Sequence, residues 1–189
     1  MENTMSSKWL NKTISLIDKI TDITGNIIAW LTFVMVILSF SIVVLRYGFN
    51  LGWVAMQESV LYFHGMVFML GAAYTLKADG HVRVDIFYQR FTEKQQALVN
   101  LFGSVFLLLP VCITLFIISF DYVAVSWSIM EKSSEAGGLP LVYLNKSLIL
   151  ILAVTLLLQG VAEIARCLLI IKKANTADTA NTSNKVGRS

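Results

Sequence analysis

The chain has 189 residues, of which 56% are hydrophobic and 14% are charged, with a formal net charge of +3. Once the long apolar segments and their connections are counted, too little polar chain is left for a separate soluble domain. The composition therefore indicates a small integral membrane protein, and the placement of the charges is more informative than their sum.

Four segments contain no Asp, Glu, Lys or Arg, and each is close in length to the roughly 20 residues that a bilayer-crossing helix needs. They are Ile23–Leu45, Ser59–Leu76, Gln95–Phe120 and Ser147–Ala162. The sequence therefore predicts an all-α integral membrane protein with four transmembrane helices. Because the first run follows a polar stretch and is too long for the apolar region of a signal peptide, we expect it to remain as an anchor.

Residues 1–22 form an N-terminal segment, and residues 8–23 have the periodicity of an amphipathic helix. Apolar side chains from Trp9 to Ile23 occupy one half of the helical wheel, and lysines and aspartates occupy the other half. We predict that this segment lies on the inner membrane surface as an interfacial helix. The alternative is a cytoplasmic extension of the first span that packs on a partner.

The transmembrane domain is predicted to cover residues 23–171. Its third helix is long; Pro110 predicts a kink within it, and Thr92 with Gln95 predicts a capping box at its start. The predicted helices run over 23–47, 53–76, 95–120 with an extension toward 130, and 141–168. Residues 172–189 are rich in Asn, Thr, Ala and Ser, so we predict a disordered cytoplasmic tail.

The basic residues predict the orientation, because the cytoplasmic flanks of membrane helices collect Lys and Arg. On one side of the predicted spans lie only Arg46, Lys132 and Lys146. The other side carries Lys8, Lys12, Lys19, Lys77, Arg83, Arg90, Lys94, Arg166, Lys172, Lys173, Lys185 and Arg188. We therefore expect both termini, and the link between the second and third spans, to be cytoplasmic.

Three charged residues near the outer edges of the spans are candidates for a structural role. Arg46 can reach lipid headgroups or pair with Glu58 or Asp121, since all three are predicted on the outer side. Such a network would fix the helices relative to one another. A proton or ion relay is the less favoured alternative.

The outer loop between the third and fourth spans, Ser133–Pro140, is expected to be irregular. Gly137 and Gly138 are predicted to break the third helix, and Pro140 is placed to start the next one. The glycines are needed either for the backbone of a turn or for a contact with another protein.

The chain has no motif for catalysis or cofactor binding. His64 and His81 are predicted at different depths, so they cannot face one another as axial haem ligands, and the two cysteines form no C-x-x-C pair. The paired repeats and broken helices of secondary transporters are also missing from the sequence. We expect no enzyme activity, no cofactor, no metal site and no nucleic-acid partner.

An ordered set of short motifs resembles one known family. Near the first two spans the set comprises Arg46-Tyr47-Gly48-Phe49, Trp53, Gln57-Glu58 and Gly71-Ala72-Ala73-Tyr74-Thr75-Leu76. It continues with His81-Val82-Arg83-Val84-Asp85-Ile86-Phe87, Ser133, Gly137-Gly138-Leu139-Pro140 and Lys146. Over residues 23–171 this order resembles the small membrane (Q) subunit of tripartite ATP-independent periplasmic, or TRAP, transporters.

The resemblance implies a complex in a bacterial cytoplasmic membrane that takes up carboxylates or related organic acids, driven by a sodium gradient. A periplasmic binding protein would deliver the substrate to a large (M) subunit, which would hold the substrate and sodium sites. The small subunit would anchor the large one without binding substrate. Candidate contacts with these partners or with phospholipids are Arg46, Trp53, Glu58, His81, Arg83, Asp85, Asp121, Gly137, Gly138 and Pro140.

Two other functions remain as alternatives. A self-contained small exporter that dimerises would transport solute by itself in liposomes and would need a membrane-embedded acid for proton coupling. A membrane redox enzyme would bind haem or quinone and would show a colour or a redox signal when purified.

Overall fold

The computed structural model describes residues 2–80, 88 and 90–186, and it describes the side chains of residues 10–80, 88 and 90–176. All regular structure in these residues is helical, as predicted. The elements in chain order are α1 (Glu2–Phe49), α2 (Val54–Lys77), α3 (Glu93–Gly103), a π-helical turn (Ser104–Leu108), α4 (Leu109–Ser128) and α5 (Val142–Val186).

Within the described part of the chain, four helical stretches are long and apolar enough to cross a membrane. They are Leu10–Phe49, Val54–Lys77, Glu93–Ser128 and Val142–Thr176. The predicted number of spans is therefore confirmed. We call the end of the bundle that holds residues 129–141 the loop end, and the opposite end, toward both chain termini, the terminal end.

Helix α5 lies at the centre of the bundle, because it packs against each of the other four helices. In its most apolar segment 33% of the residues are buried, compared with 6% in the corresponding segments of α1 and α2. Several of its buried positions carry small side chains, including Ala153, Ala162 and Cys167. Small residues let helix backbones approach closely, which favours association where lipid tails remove the hydrophobic driving force between helices.

Helix α1 touches the rest of the chain along one narrow seam with alternating spacings of four and three residues. The seam consists of Leu10, Ile14, Ile17, Thr21, Thr24, Ile28, Leu31, Met35, Leu38, Ile42 and Leu45, all buried or half-buried. Most other side chains of α1 between residues 10 and 45 are exposed. This heptad-like spacing is typical of helices that cross at a small angle.

The predicted interfacial segment is continuous with the first span in one helix. The stretch Leu10–Phe49 has 40 residues, which at 1.5 Å per residue makes it about 60 Å long. That length is about twice the hydrocarbon thickness of a bilayer. Residues 10–22 therefore extend the span and pack on α2 and α5 of the same chain through the contacts described below, and their place relative to the membrane surface stays a prediction.

Three helices end in the same way, with one residue in the left-handed region. Asn50, Asp79 and Met130 have φ angles of 52°, 55° and 46°. The N–H that follows Asp79 and the one that follows Met130 each bond a carbonyl five residues back, and the N–H that follows Asn50 bonds a carbonyl six residues back. The bonds around Asp79 and Met130 are the Schellman arrangement, which satisfies carbonyls left free at a helix C-terminus, and the longer bond after Asn50 also satisfies such a carbonyl. Asn and Asp adopt this conformation readily, whereas Met130 is an unusual residue to find there.

The third span ends close to the predicted extension toward residue 130, but the residue that stops it differs from the prediction. Its predicted capping box of Thr92 and Gln95 is confirmed, and a π-helical turn directly precedes the segment with Pro110, which has no N–H to donate. Because Met130 closes the helix, α4 ends at Ser128, and the prediction that Gly137 and Gly138 break it was wrong.

Helix α5 begins one residue after its predicted start and continues well beyond its predicted end. It begins at Val142, so Pro140 lies two residues before the first helical residue and does not start the helix. At the other end it continues to Val186, whereas a disordered tail was predicted from residue 172. The reason is that no Gly or Pro occurs between Gly160 and Gly187, so nothing in the sequence stops the backbone.

Candidate functional site

The loop end is organised by the carboxylate of Glu58, which reaches from α2 to the connection between α4 and α5. It accepts a hydrogen bond from the backbone N–H of Leu139 at 2.6 Å and another from the hydroxyl of Ser133. The loop also closes on itself, because the Ser133 N–H donates to the Leu139 carbonyl at 3.2 Å. We call Glu58, Ser133, Gly138 and Leu139 the outer clasp.

The two glycines of this loop serve different purposes. Gly137 has a φ of +78°, a conformation that other residues adopt only with strain. A Cβ on Gly138 would lie 2.5 Å from the Ser133 Oγ and 2.8 Å from the Glu58 Oε1, so the clasp closes only around a glycine. Backbone and packing needs thus account for both glycines, and Pro140 is exposed beside them.

A second polar contact joins the loop to α5. The Lys146 ammonium donates to the Glu131 carboxylate at 2.6 Å and lies 4.1 Å from the centre of the Tyr122 ring. The hydrogen bond from Lys146 lowers the pKa of the Glu131 carboxyl below its ordinary value. Lys146 therefore ties α5 to the loop and to α4.

This contact predicts a pH dependence of stability. Since the pKa of Glu131 is lowered in the folded state, its contribution is present above the ordinary carboxyl pKa of about 4.3 and is lost as the pH falls through the lowered value. We expect the melting temperature of the purified protein to fall in this acid range, and to fall less in Glu131→Gln. Glu135→Gln, which changes an exposed carboxylate in the same loop, is the control. Parallel acid curves for Glu131→Gln and wild type would contradict the assignment.

Ion pairs join three helices at the terminal end. Arg166 of α5 pairs with Asp18 of α1 and, at 2.9 Å, with Glu163 three residues earlier on its own helix. Lys77 of α2 pairs with Asp22 of α1 and donates to the backbone carbonyl of Asp18 at 3.2 Å. The aspartates of the N-terminal segment thus point toward the bundle.

Gln159 adds a buried polar contact beside these ion pairs. Its side chain is 0% exposed, and its Oε1 lies 3.0 Å from the hydroxyl oxygen of Thr21 on α1. The same hydroxyl lies 3.0 Å from the Ile17 carbonyl, and it has one proton for the two acceptors. Turning the amide over would let Gln159 donate to Thr21 while Thr21 donates to Ile17. In both orientations the amide links α5 to α1.

Three other candidate residues do not join these contacts. Arg46 and Asp121 are exposed, and neither forms a salt bridge to the other or to Glu58 in the described chain, so the predicted ion pair is not formed. Trp53 is 65% exposed and precedes α2. A lipid-headgroup role for Arg46 stays a prediction, and His81, Arg83 and Asp85 lie outside the described residues.

Sequence reasoning missed the partners rather than the polar residues themselves. The sequence places Ser133 in a motif but gives it no role. Gln159 is not among the predicted site residues, although it is the amide side chain in the fourth charge-free run. A polar side chain in such a run is the signal that could have identified it, because it must find a partner away from lipid. The partners of Asp18 and Lys77 depend on helix rotation, for which the sequence has no comparable signal.

The described residues contain no cluster of His, Cys, Asp and Glu that could hold a metal ion. Small cavities between the described helices include the following two. One, lined by residues of α1, α2 and α5, has a volume of about 30 Å³, and the other, near Arg46 and Trp53, has about 10 Å³. Binding sites for small molecules are typically about 300–1,000 Å³, so neither cavity holds an organic acid.

Comparison with known proteins identifies the family. The family model for tripartite ATP-independent periplasmic transporters, DctQ component, matches residues 35–169. No curated protein and no solved structure matches the chain. The matched region is well over half of the chain, takes in residues of all four spans and includes the whole outer clasp. This multi-pass membrane protein therefore belongs to the DctQ family, the small membrane component of transporters that also contain a large membrane component and a periplasmic binding protein.

Proposed function

We propose that this chain is the stationary small permease subunit of a TRAP transporter in a bacterial cytoplasmic membrane. It anchors the large subunit and forms part of a fixed wall while that subunit carries the substrate. The complex takes up a carboxylate or a related organic acid, delivered by the binding protein and driven by a sodium gradient. Family membership supports the tripartite assembly, and the packing of the helices supports the passive role.

One observation carries the passive role: the centre of the bundle is filled by a helix. Helix α5 packs against every other helix, and its buried positions are closed by side chains such as Ala153 and Gln159, both 0% exposed. A carrier needs a polar path that opens alternately to the two sides of the membrane. In a bundle filled in this way the helices contact one another directly, which leaves no space for a solute between them.

The charges support an orientation with both termini in the cytoplasm. Toward the terminal end lie Lys12, Lys19, Lys172 and Lys173, all exposed. The loop end has two exposed cations, Arg46 and Lys132, while Lys146 there is paired with Glu131. An excess of basic residues marks the cytoplasmic flank of membrane helices. The outer clasp would then face the periplasm, where it is placed to meet the binding protein or the outer surface of the large subunit.

Reconstitution into vesicles tests the passive role. We expect vesicles that contain this chain alone to accumulate no organic acid under a sodium gradient. We expect uptake only when the large membrane component and the binding protein are added, and a loss of uptake when this chain is omitted. Radiolabelled organic acids provide the measurement, and empty vesicles are the control.

Accumulation or export of solute by the lone chain would overturn the proposal and would favour the small-exporter alternative. Full uptake by the other two components without this chain would also overturn it. Such a result would mean that the large subunit needs no anchoring subunit for transport. Capture of the large component by this chain in detergent is the direct test of the assembly.

A further inference from the structure

The side chain of His64 is exposed near the middle of α2. Ten residues separate it from Val54 and thirteen from Lys77, so it lies about 15 Å and 20 Å from the two ends of the helix. The hydrocarbon core of a bilayer is about 30 Å thick, which places the imidazole near mid-membrane. His64 is exposed and forms no hydrogen bond within the described chain.

Lipid tails cannot satisfy this imidazole. Moving a polar group into a medium without hydrogen-bonding partners is unfavourable, and polar residues in membrane helices usually find a partner on another helix. The His side chain is too short to reach the headgroups from the middle of the span, unlike the long chains of Lys and Arg. The position therefore favours a protein neighbour that can donate or accept a hydrogen bond.

The neighbours of His64 on the same side of α2 are suited to helix packing. Leu61 is 65% exposed and Phe68 is 71% exposed, and a Cβ on Gly71 would have nothing within 4 Å. With His64 these residues follow spacings of three, four and three, which is one face of a helix. We call Leu61, His64, Phe68 and Gly71 the open face of α2.

The contacts that α2 makes within the described part of the chain leave the open face uncovered. Ala73 is buried, and Tyr74 packs on Gly25 so closely that a Cβ there would lie 2.5 Å from the ring. Gly65 faces α5, since a Cβ on it would lie 3.1 Å from the Asn145 Oδ1. Helices α1 and α5 thus occupy other sides of α2.

Exposed apolar surface alone would not require a partner, as the exposed surface of α4 illustrates. Ile117 and Ile118 are 66% and 72% exposed, and lipid tails cover such side chains without leaving a polar group unpaired. Ile117 lies eleven residues from Ser128, about 17 Å along the helix. It is therefore at a depth similar to that of His64 and offers a matched control.

We propose that the open face of α2 packs against a transmembrane helix of the large membrane component, with His64 hydrogen-bonded to a polar group of that helix. This inference rests on the proposed function, and it assigns the surface through which the chain holds its partner. The partner helix crosses closely over Gly71, since the missing side chain lets two backbones approach. It presents a side-chain or backbone hydrogen-bonding group opposite the imidazole, at mid-membrane depth.

Capture of the large component by tagged variants of this chain tests the surface. We expect His64→Leu to reduce the captured amount at least about threefold, as the loss of one interhelical hydrogen bond in a membrane implies. Gly71→Trp should abolish capture, because the indole fills the crossing point. Ile117→Trp on α4 should capture as much as wild type. Elution of each free variant at the wild-type volume shows that the bundle has folded.

Photo-crosslinking identifies the occupant directly. A benzoylphenylalanine at position 68 should form an adduct with the mass of the large component, and the same residue at position 117 should react with lipid. An adduct at 68 with a second copy of this chain, or with lipid alone, would overturn the proposal. Equal capture by His64→Leu, Gly71→Trp and wild type would overturn it as well. If wild type itself captures no large component, the proposed function fails first.

Discussion

Replacing Glu58 with alanine is expected to open the loop end and to lower the free energy of unfolding by about 1–3 kcal/mol. The loss arises because the Leu139 N–H and the Ser133 hydroxyl would both lose their acceptor. Glu58→Gln should cost less, since one carbonyl oxygen remains to accept from Leu139. The melting temperature of the purified protein and proteolysis of the loop are the measurements.

Glu135→Ala is the matched control for this prediction, because it removes an exposed carboxylate from the same loop. A steric test is also available, since Gly138→Ala places a methyl group 2.8 Å from the Glu58 Oε1. We expect Gly138→Ala to be harmful in wild type and less harmful when Glu58 is already alanine, which is the coupling expected of residues in contact. Additive effects, or a Glu58→Ala variant as stable as Glu135→Ala, would refute the clasp.

Replacing Arg166 with methionine is expected to have a comparable effect at the terminal end, about 2 kcal/mol. The side chains of Asp18, Glu163 and Arg166 are 24%, 22% and 26% exposed, so the two carboxylates would be left unpaired while partly shielded from water. The loss of the Arg166–Asp18 ion pair would weaken the packing of α1 on α5 and would lower the stability of the whole bundle. The melting temperature and protease access to α1 report on both.

The triple variant with Arg166→Met, Asp18→Asn and Glu163→Gln distinguishes a lost attraction from an uncompensated charge. We expect it to recover part of the stability, because no unpaired carboxylate remains. Lys19→Met is the control, since Lys19 is an exposed cation on the same part of α1. Equal stability of Arg166→Met and Lys19→Met would show that the ion pairs contribute nothing measurable, as is common for exposed pairs.

The outer clasp shows how far reasoning from the sequence reached toward the candidate site. Glu58, Gly137 and Gly138 were identified as important, but Glu58 was assigned to Arg46 and the glycines to a helix break. The error has a physical cause: the left-handed conformation of Met130, and not the glycines, ends α4. Residues 131–140 then fold back onto α2, where Ser133 and Leu139 meet Glu58. A Met at such a position is not a sequence signal, whereas Asn50 and Asp79 at the other helix ends are.

The terminal end gives a similar lesson about the N-terminal segment. The sequence correctly separates apolar from polar residues between positions 8 and 23, but the pattern does not say which half of the wheel meets protein. In the structure Asp18 and Asp22 turn toward Arg166 and Lys77, and Leu16 and Ile20 are 61% and 51% exposed. The apolar half is thus divided between the seam, which contains Leu10, Ile14 and Ile17, and the exposed surface, while the bundle pairs the two aspartates.

The amino-acid sequence by itself determined that this chain is helical, that it has four spans and that it resembles the small subunit of a TRAP transporter. These properties follow from the lengths of uncharged runs and from ordered local motifs, which do not depend on how the helices are turned. Tertiary structure alone decided that Glu58 holds the loop, that Gln159 meets Thr21 and that His64 is exposed. Such pairings depend on the rotation and register of each helix, and these are set only when the helices pack together.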